Sequence, residues 1–414
     1  MVYDIRRAIA QRVYYGWVIV LACLLASTAI YGTSYGFSVF YDVFIREFEV
    51  SRTRLAFVFG LQTALIYTVA VGAGKFAEQY GQRRLAGVST VLMTVGLVWT
   101  AVATSILELT VAFGVLTALG MAGFFVVGFA TVPLWFYRRR GAAAGIAAAG
   151  LGVGLVIVPP GANQLISAFG WRTAMFAVAV TAGTFALLVT LLFADHPSDV
   201  GADISTEFPD GLQTTDGGTY GSSTPRELYT SPAFLLVFVG WALVFAPQYV
   251  VMSHIILYAT DAGIGRSAGV LAIAVIGTTI TISRTGIGYL SDSLGRTRAF
   301  VFCGALMGGS VLGLAFTTTS PVFLFVVVLF AVGYGGSGGL VSPIVADLFG
   351  NDNHNVTFSI LAVSLALAGL AAPPLAGFGF ELTGSYELPF VAFALAGVIG
   401  ACSVALAARL VPIE

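Results

Sequence analysis

Charge is what this chain has least of. Asp, Glu, Lys and Arg make up 9% of its 414 residues, against 58% hydrophobic. A water-soluble domain carries roughly a quarter of its residues charged, so this chain cannot cover a water-facing surface. Its net charge is −1, and no basic patch interleaved with aromatics is present, which argues against a nucleic-acid partner. Cysteine is equally scarce. Cys23, Cys303 and Cys402 are odd in number, widely spaced and all set in apolar runs, which argues against a disulfide framework or a metal site. They read as buried packing residues. No P-loop, His-Glu-x-x-His, Gly-x-Ser-x-Gly or pair of acids within an apolar run occurs. Neither an enzyme nor a cofactor is therefore expected, no obligatory protein partner is evident, and any work must draw on gradients.

What fills the chain instead is a succession of apolar runs long enough to cross a bilayer, which needs about 20 residues per helix. We read twelve. They lack the short alternating pattern of an outer-membrane barrel, so the expected class is an all-α membrane protein with the lipid bilayer as its solvent. The first run, from about Trp17 to Val43, follows Arg6, Arg7 and Arg12. It is too long for a signal-peptide core and lacks an A-x-A cleavage site, so it reads as a first transmembrane helix. The longest polar stretch, 195–230, is rich in Gly, Ser, Thr, Pro and acid without apolar periodicity, and reads as a linker. It divides the chain into two six-helix halves, 1–194 and 231–414. Placing the N-terminus inside puts most Lys and Arg in the cytoplasm, leaving Arg46, Arg52, Arg54, Arg172 and Arg266 outside. The positive-inside bias therefore predicts that both termini are cytoplasmic.

One loop occurs twice. Gly74, Glu78, Gly81, Arg83 and Arg84 follow the second run, and Gly288, Asp292, Gly295, Arg296 and Arg298 follow the eighth at matching offsets. Repetition between halves is the mark of transporters built from related bundles. Gly74 and Gly288 suit close helix approach, and the acid suits pairing with the loop arginines or a neighbouring helix N-terminus. These loops resemble the signature loops of the major facilitator superfamily, G-x-x-x-D-x-x-G-R-R, with Glu78 in place of Asp in the first copy. The resemblance implies a twelve-helix fold over essentially the whole chain and assigns these loops to conformational gating.

A second stretch narrows the likeness. Arg139, Arg140, Gly141, Gly145, Gly150 and Gly154 look like the R-R-G-x-A-x-G-x-x-x-x-G motif of monocarboxylate transporters and their bacterial oxalate/formate relatives. Tyr15-Gly16-Trp17 and His196-Pro197-Ser198-Asp199 are similar to bacterial members. By spacing, the four glycines form a ridge for helix packing. The substrate is implied by the resemblance alone: a small organic anion, in a bacterial inner membrane.

One cation stands inside an apolar run. Arg284 lies about two turns before the second signature loop, and a mid-membrane arginine costs about 2.5–3.5 kcal/mol on insertion scales. No carboxylate stands well inside any run; Asp42, at the outer end of the first, comes nearest. A transported anion can supply the missing charge through two parallel hydrogen bonds; the other reading is an arginine that snorkels to the inner surface or bonds to backbone carbonyls. The resemblance favours the first, since monocarboxylate transporters hold the substrate carboxylate with an arginine in the eighth span. Two departures stand out. Ile280 replaces the aspartate of animal members, and Phe358–Gly369 has no lysine of the oxalate type. A single cation favours a single carboxylate.

His254 is a candidate for proton coupling, together with Arg284; a hydrogen-bonded interfacial histidine is the competing reading. Tyr31, Tyr35, Phe124, Phe125 and Tyr334 are candidate cavity walls, though packing explains each alone. The expected function is secondary active transport of lactate- or pyruvate-like monocarboxylates, proton-coupled, by alternating access. The alternatives are an exchanger or exporter of oxalate/formate type and a non-transporting sensor on the same scaffold.

Overall fold

The computed structural model describes residues 6, 10, 13–136, 139–201, 225–349 and 354–410. The expectations for Arg7, Arg12 and Arg138, and for 202–224 of the linker, lie outside the described residues, as do the side chains of Gly141 and Asp292. Twelve helices are long and apolar enough to cross a membrane. Spans one to six are Gly16–Phe48, Arg52–Tyr80, Gln82–Val102, Ile106–Gly128, Ala143–Phe169 and Trp171–Leu192; spans seven to twelve are Pro232–Asp261, Arg266–Ser291, Arg296–Leu314, Ser320–Phe349, Val356–Thr383 and Glu387–Leu410. No strand occurs among the described residues. Helices are what a hydrocarbon solvent demands, because each must satisfy its own backbone.

The chain separates into two compact units, Met1–Gly36 with Thr68–Gly217 and Phe37–Tyr67 with Gly218–Glu414. Spans one and two are therefore each shared. Span one changes unit where its α-helix gives way to a 3₁₀ turn at Phe37–Phe40 and resumes at Tyr41–Phe48. It runs on to Phe48, beyond the end expected at Val43, because Tyr41 and Phe44 bury an amphipathic last stretch.

In the first unit, span five lies tight on span one. A Cβ on Gly150 would stand 2.7 Å from the Ser27 Cβ, and one on Gly154 2.7 Å from the Thr28 carbonyl. Gly145 differs: a Cβ there would meet nothing within 4 Å, so it belongs to no close contact. The same holds for Gly74 and Gly288, which corrects the expectation that these loop glycines admit neighbouring helices. The glycines that matter in the repeat are Gly81 and Gly295, with φ of 92° and 89°. Each occupies the N-cap position of the next helix, a backbone conformation that a Cβ disfavours. Glu78 is exposed and makes no hydrogen bond or ion pair among the described residues. The carboxylate that meets the first loop is Asp195, whose Oδ1 accepts the Arg83 backbone N–H at 2.9 Å, and in the second loop Arg296 pairs with Asp347 at 2.9 Å. Beside the first loop, Arg6 donates to the Leu191 carbonyl at 2.8 Å and the Tyr15 hydroxyl to Leu192 at 2.7 Å, satisfying the last carbonyls of span six. Of the cysteines, Cys402 is exposed, not buried, because it sits on an outward face of span twelve.

A second repeat goes beyond the loops. Pro159-Pro160 in span five and Pro373-Pro374 in span eleven stand at similar heights in corresponding helices of the two halves. Each proline removes one helix hydrogen bond and frees the carbonyl four residues back.

Candidate functional site

The second unit contains Arg284 and Tyr334, while Tyr31, Tyr35 and Phe125 belong to the first. Tyr31 and Tyr35 stack with ring centroids 6.0 Å apart; Phe124 is fully buried and Phe125 half-buried.

Arg284 leaves span eight toward a run of glycines on span ten. A Cβ on Gly338 would stand 3.0 Å from its Nη2, and one on Gly339 3.7 Å from its Cγ. Glycine here leaves room for a guanidinium that any larger residue would displace. Gly338 lies about 16 Å along the helix from the Phe349 end of span ten, and Arg284 beside it is partly buried. Its Nε is buried without a hydrogen-bond partner. Among the described residues Arg284 makes no hydrogen bond or ion pair at all. Carbonyl bonding, one of the competing readings, would have supplied one.

Four polar side chains of this unit are linked in pairs, one of them within electrostatic reach of Arg284. Tyr334 is one turn before Gly338 on the same face of span ten, and its hydroxyl accepts the Gln248 Nε2–H at 3.0 Å. Tyr67 of span two bonds to Tyr249 of span seven and lies within electrostatic reach of both Arg284 and Tyr334. The sequence alone gave no reason to choose Tyr67, Gln248 or Tyr249. Pro247, an interior proline next to Gln248 and Tyr249, was the signal available. The groups are phenols, an amide and a guanidinium, so the cluster is rich in donors and holds no carboxylate. Ile280 is buried and packs its backbone at 3.1 Å from where a Gly335 Cβ would stand. No counter-ion for Arg284 comes from that position.

His254 lies elsewhere in the unit and is fully buried. Its Nε2 faces the Pro373 carbonyl at 2.9 Å and its Nδ1 the Tyr386 hydroxyl at 3.0 Å. A carbonyl only accepts, so Nε2 carries the proton. Arg52 Nη1 donates to the Tyr386 oxygen at 3.1 Å, which leaves the Tyr386 hydrogen for Nδ1. Burial raises the Tyr386 hydroxyl well above its ordinary range, so it remains a donor. In that arrangement a proton arriving on Nδ1 would have to displace the Tyr386 hydrogen. Both ring nitrogens are thus hydrogen-bonded within the protein.

A sequence profile of the Major Facilitator Superfamily matches residues 23–317 and 271–414. The chain belongs to this superfamily. A bacterial homologue of the human lysosomal transporter Spinster, solved inward-facing and occupied, superimposes with a TM-score of 0.73 at 18% identity, over 96% of this chain and 97% of that one. Among superfamily members with curated names, Monocarboxylate transporter 11 of Mus musculus is 28% identical over 91% of this chain and 84% of its own length. Monocarboxylate transporter 3 of Rattus norvegicus is 27% identical over 91% and 76%. Superfamily membership makes the chain a multi-pass membrane transporter and not an enzyme.

Proposed function

We propose that this chain is a secondary active transporter of small monocarboxylates, lactate- or pyruvate-like, and that the substrate carboxylate docks on Arg284. The observation that carries the reading is a partly buried arginine inside a span, its Nε buried without a hydrogen-bond partner, that makes no hydrogen bond or ion pair among the described residues. An ion left in that condition is costly unless something neutralises it, and a monocarboxylate fits a guanidinium fork with two parallel hydrogen bonds. Tyr334, positioned by Gln248, and Tyr67 offer hydroxyls to the rest of a short acid. The names of the relatives support the substrate class. The lack of a second cation in Phe358–Gly369 weighs against a dicarboxylate.

The working mode is alternating access by the halves 1–194 and 231–414, with the two signature loops as gating contacts on the cytoplasmic side. Both termini are cytoplasmic, in a bacterial cell membrane, as the Lys and Arg bias favours. Transport is coupled to protons. Arg284 and His254 are the coupling candidates, His254 through reversal of its bond to Tyr386. Reconstituted without any partner chain, the protein should take up labelled lactate or pyruvate faster under an imposed inward proton gradient. Uptake that ignores the gradient but responds to a trapped counter-anion would favour an exchanger. Ligand stabilisation without flux would favour a sensor.

A further inference from the structure

The outer halves of spans one and two, Phe37–Tyr67, are packed into the second unit. What holds span two there is a narrow seam with span eleven, capped by a group of charges. In the seam, Pro373 and Pro374 free the carbonyls of Gly369 and Leu370. Both face Gly60 of span two: a Cβ there would stand 2.8 Å from the Leu370 oxygen and 2.9 Å from the Gly369 oxygen. A glycine Cα–H is the one group that can approach two unsatisfied carbonyls so closely, and such contacts are weak and readily remade. Gly377 repeats the arrangement two turns on, where a Cβ would stand 2.9 Å from the Thr53 nitrogen, and Gly369 lies against Thr63. These are smooth contacts without interlocking side chains, suited to parting and rejoining.

The polar cap is at the Arg52 end. Arg52 makes a two-pronged pair with Asp261 of span seven, Nη2 to Oδ1 at 3.2 Å. Its Cζ lies 3.8 Å from the centre of the Phe380 ring, and its Nη1 donates to Tyr386 at 3.1 Å. Glu381 accepts the Thr53 backbone N–H at 2.9 Å, satisfying one of the open donors at the start of span two. Span one is fastened similarly: Arg266, the first residue of span eight, pairs with Asp42 and donates to the Val39 carbonyl at 2.6 Å, within the 3₁₀ turn.

From these contacts we infer that the outer half of span two is a gate leaf, that Gly60 against Pro373-Pro374 is its sliding face, and that Arg52 with Asp261, Phe380 and Glu381 is the latch. Arg52 is thus a positioning residue for transport: it controls how often the path opens on its side and touches no substrate. The pairings join residues more than 200 positions apart in sequence, and ion pairs of this partly exposed kind are individually weak enough to break in a transport cycle. The inference rests on the transporter reading and on its assignment of the Arg52 end to the outside.

The test is accessibility. Thr63→Cys, at a residue 4% exposed beneath Gly369, is placed in the full chain with Cys23, Cys303 and Cys402 changed to Ala. Labelling by a membrane-impermeant maleimide is timed in right-side-out and inverted vesicles, with no substrate present. Arg52→Ala should speed labelling roughly five- to tenfold and Asp261→Asn about two- to fivefold. Both should change the maximal transport rate while the apparent KM stays within about twofold. Gly60→Leu, which wedges the seam, should label at least as fast as Arg52→Ala. If Arg52→Ala does not fold, the near-isosteric Asp261→Asn carries the same test. Unchanged labelling in Asp261→Asn and Gly60→Leu overturns the latch, as does a shift in KM with labelling unmoved. Faster labelling from the opposite vesicle face keeps the latch and overturns only the outside assignment. Loss of Arg284-dependent transport with faster labelling separates the substrate site from the gate.

Discussion

The second unit holds two arginines in opposite conditions. Arg52, partly buried at a helix end, has a carboxylate, a phenol and an aromatic face around its guanidinium. Arg284, within a membrane-spanning helix and also partly buried, has a glycine on one side and no hydrogen bond or ion pair among the described residues. Position along the chain would assign the reverse, since Arg52 stands at a helix end and Arg284 within an apolar span, where a charge is costly. The difference separates two jobs. A cation that the protein has already neutralised fastens helices together. In the proposed function, the cation that the protein has room for but does not pair is the one that receives the substrate.

The comparison breaks most severely at Arg284. Arg284→Ala should lower kcat/KM for lactate or pyruvate uptake roughly 100-fold or more, the loss expected for a buried charge-assisted pair. The purified variant without substrate should melt no lower than the parent, because removing an unpaired buried cation relieves a cost. A marked drop in its melting temperature would show that the guanidinium already has structural work. Arg284→Lys keeps the charge and loses the planar fork; uptake should fall about 10- to 30-fold, as for one lost hydrogen bond to a charged group. Gly338→Ala pushes on Nη2 and should raise KM about tenfold with little effect on folding, a loss of about 1.4 kcal/mol. Tyr334→Phe and Gln248→Leu should each cost about two- to tenfold in KM, and the double variant no more than the larger single if Gln248 acts through Tyr334. Additive losses would place Gln248 on the substrate directly.

Several of these features were legible before any coordinates. Twelve apolar runs and a charge content of 9% leave few folds open, and a single charged residue inside a run draws attention without help from geometry. Tyr334 was among the candidate aromatics, in a stretch, 333–339, otherwise made of small residues. Tyr67, Gln248 and Tyr249 were not, since polar residues are common in long helices and only packing shows which of them face one another. The latch was invisible for a related reason. Arg52, Asp261 and Glu381 stand at helix ends, where charge is ordinary, and their pairing depends on how distant spans lie side by side. The loop glycines misled in a different way. Gly74 and Gly288 recur in register, but their Cβ positions are open; the backbone need lies at Gly81 and Gly295, which the same motif also contains. The paired prolines of spans five and eleven were present to be read, and escaped because proline in an apolar run suggests a kink before it suggests a repeat.

The contrast between the two arginines reduces to one measurement. Thermal unfolding of the purified full chain is followed with and without a saturating short monocarboxylate such as lactate or pyruvate, in the parent, Arg52→Ala and Arg284→Ala proteins. The account predicts a rise in melting temperature of a few degrees on adding the acid to the parent and to Arg52→Ala, and none in Arg284→Ala. An equal rise in Arg284→Ala would contradict it.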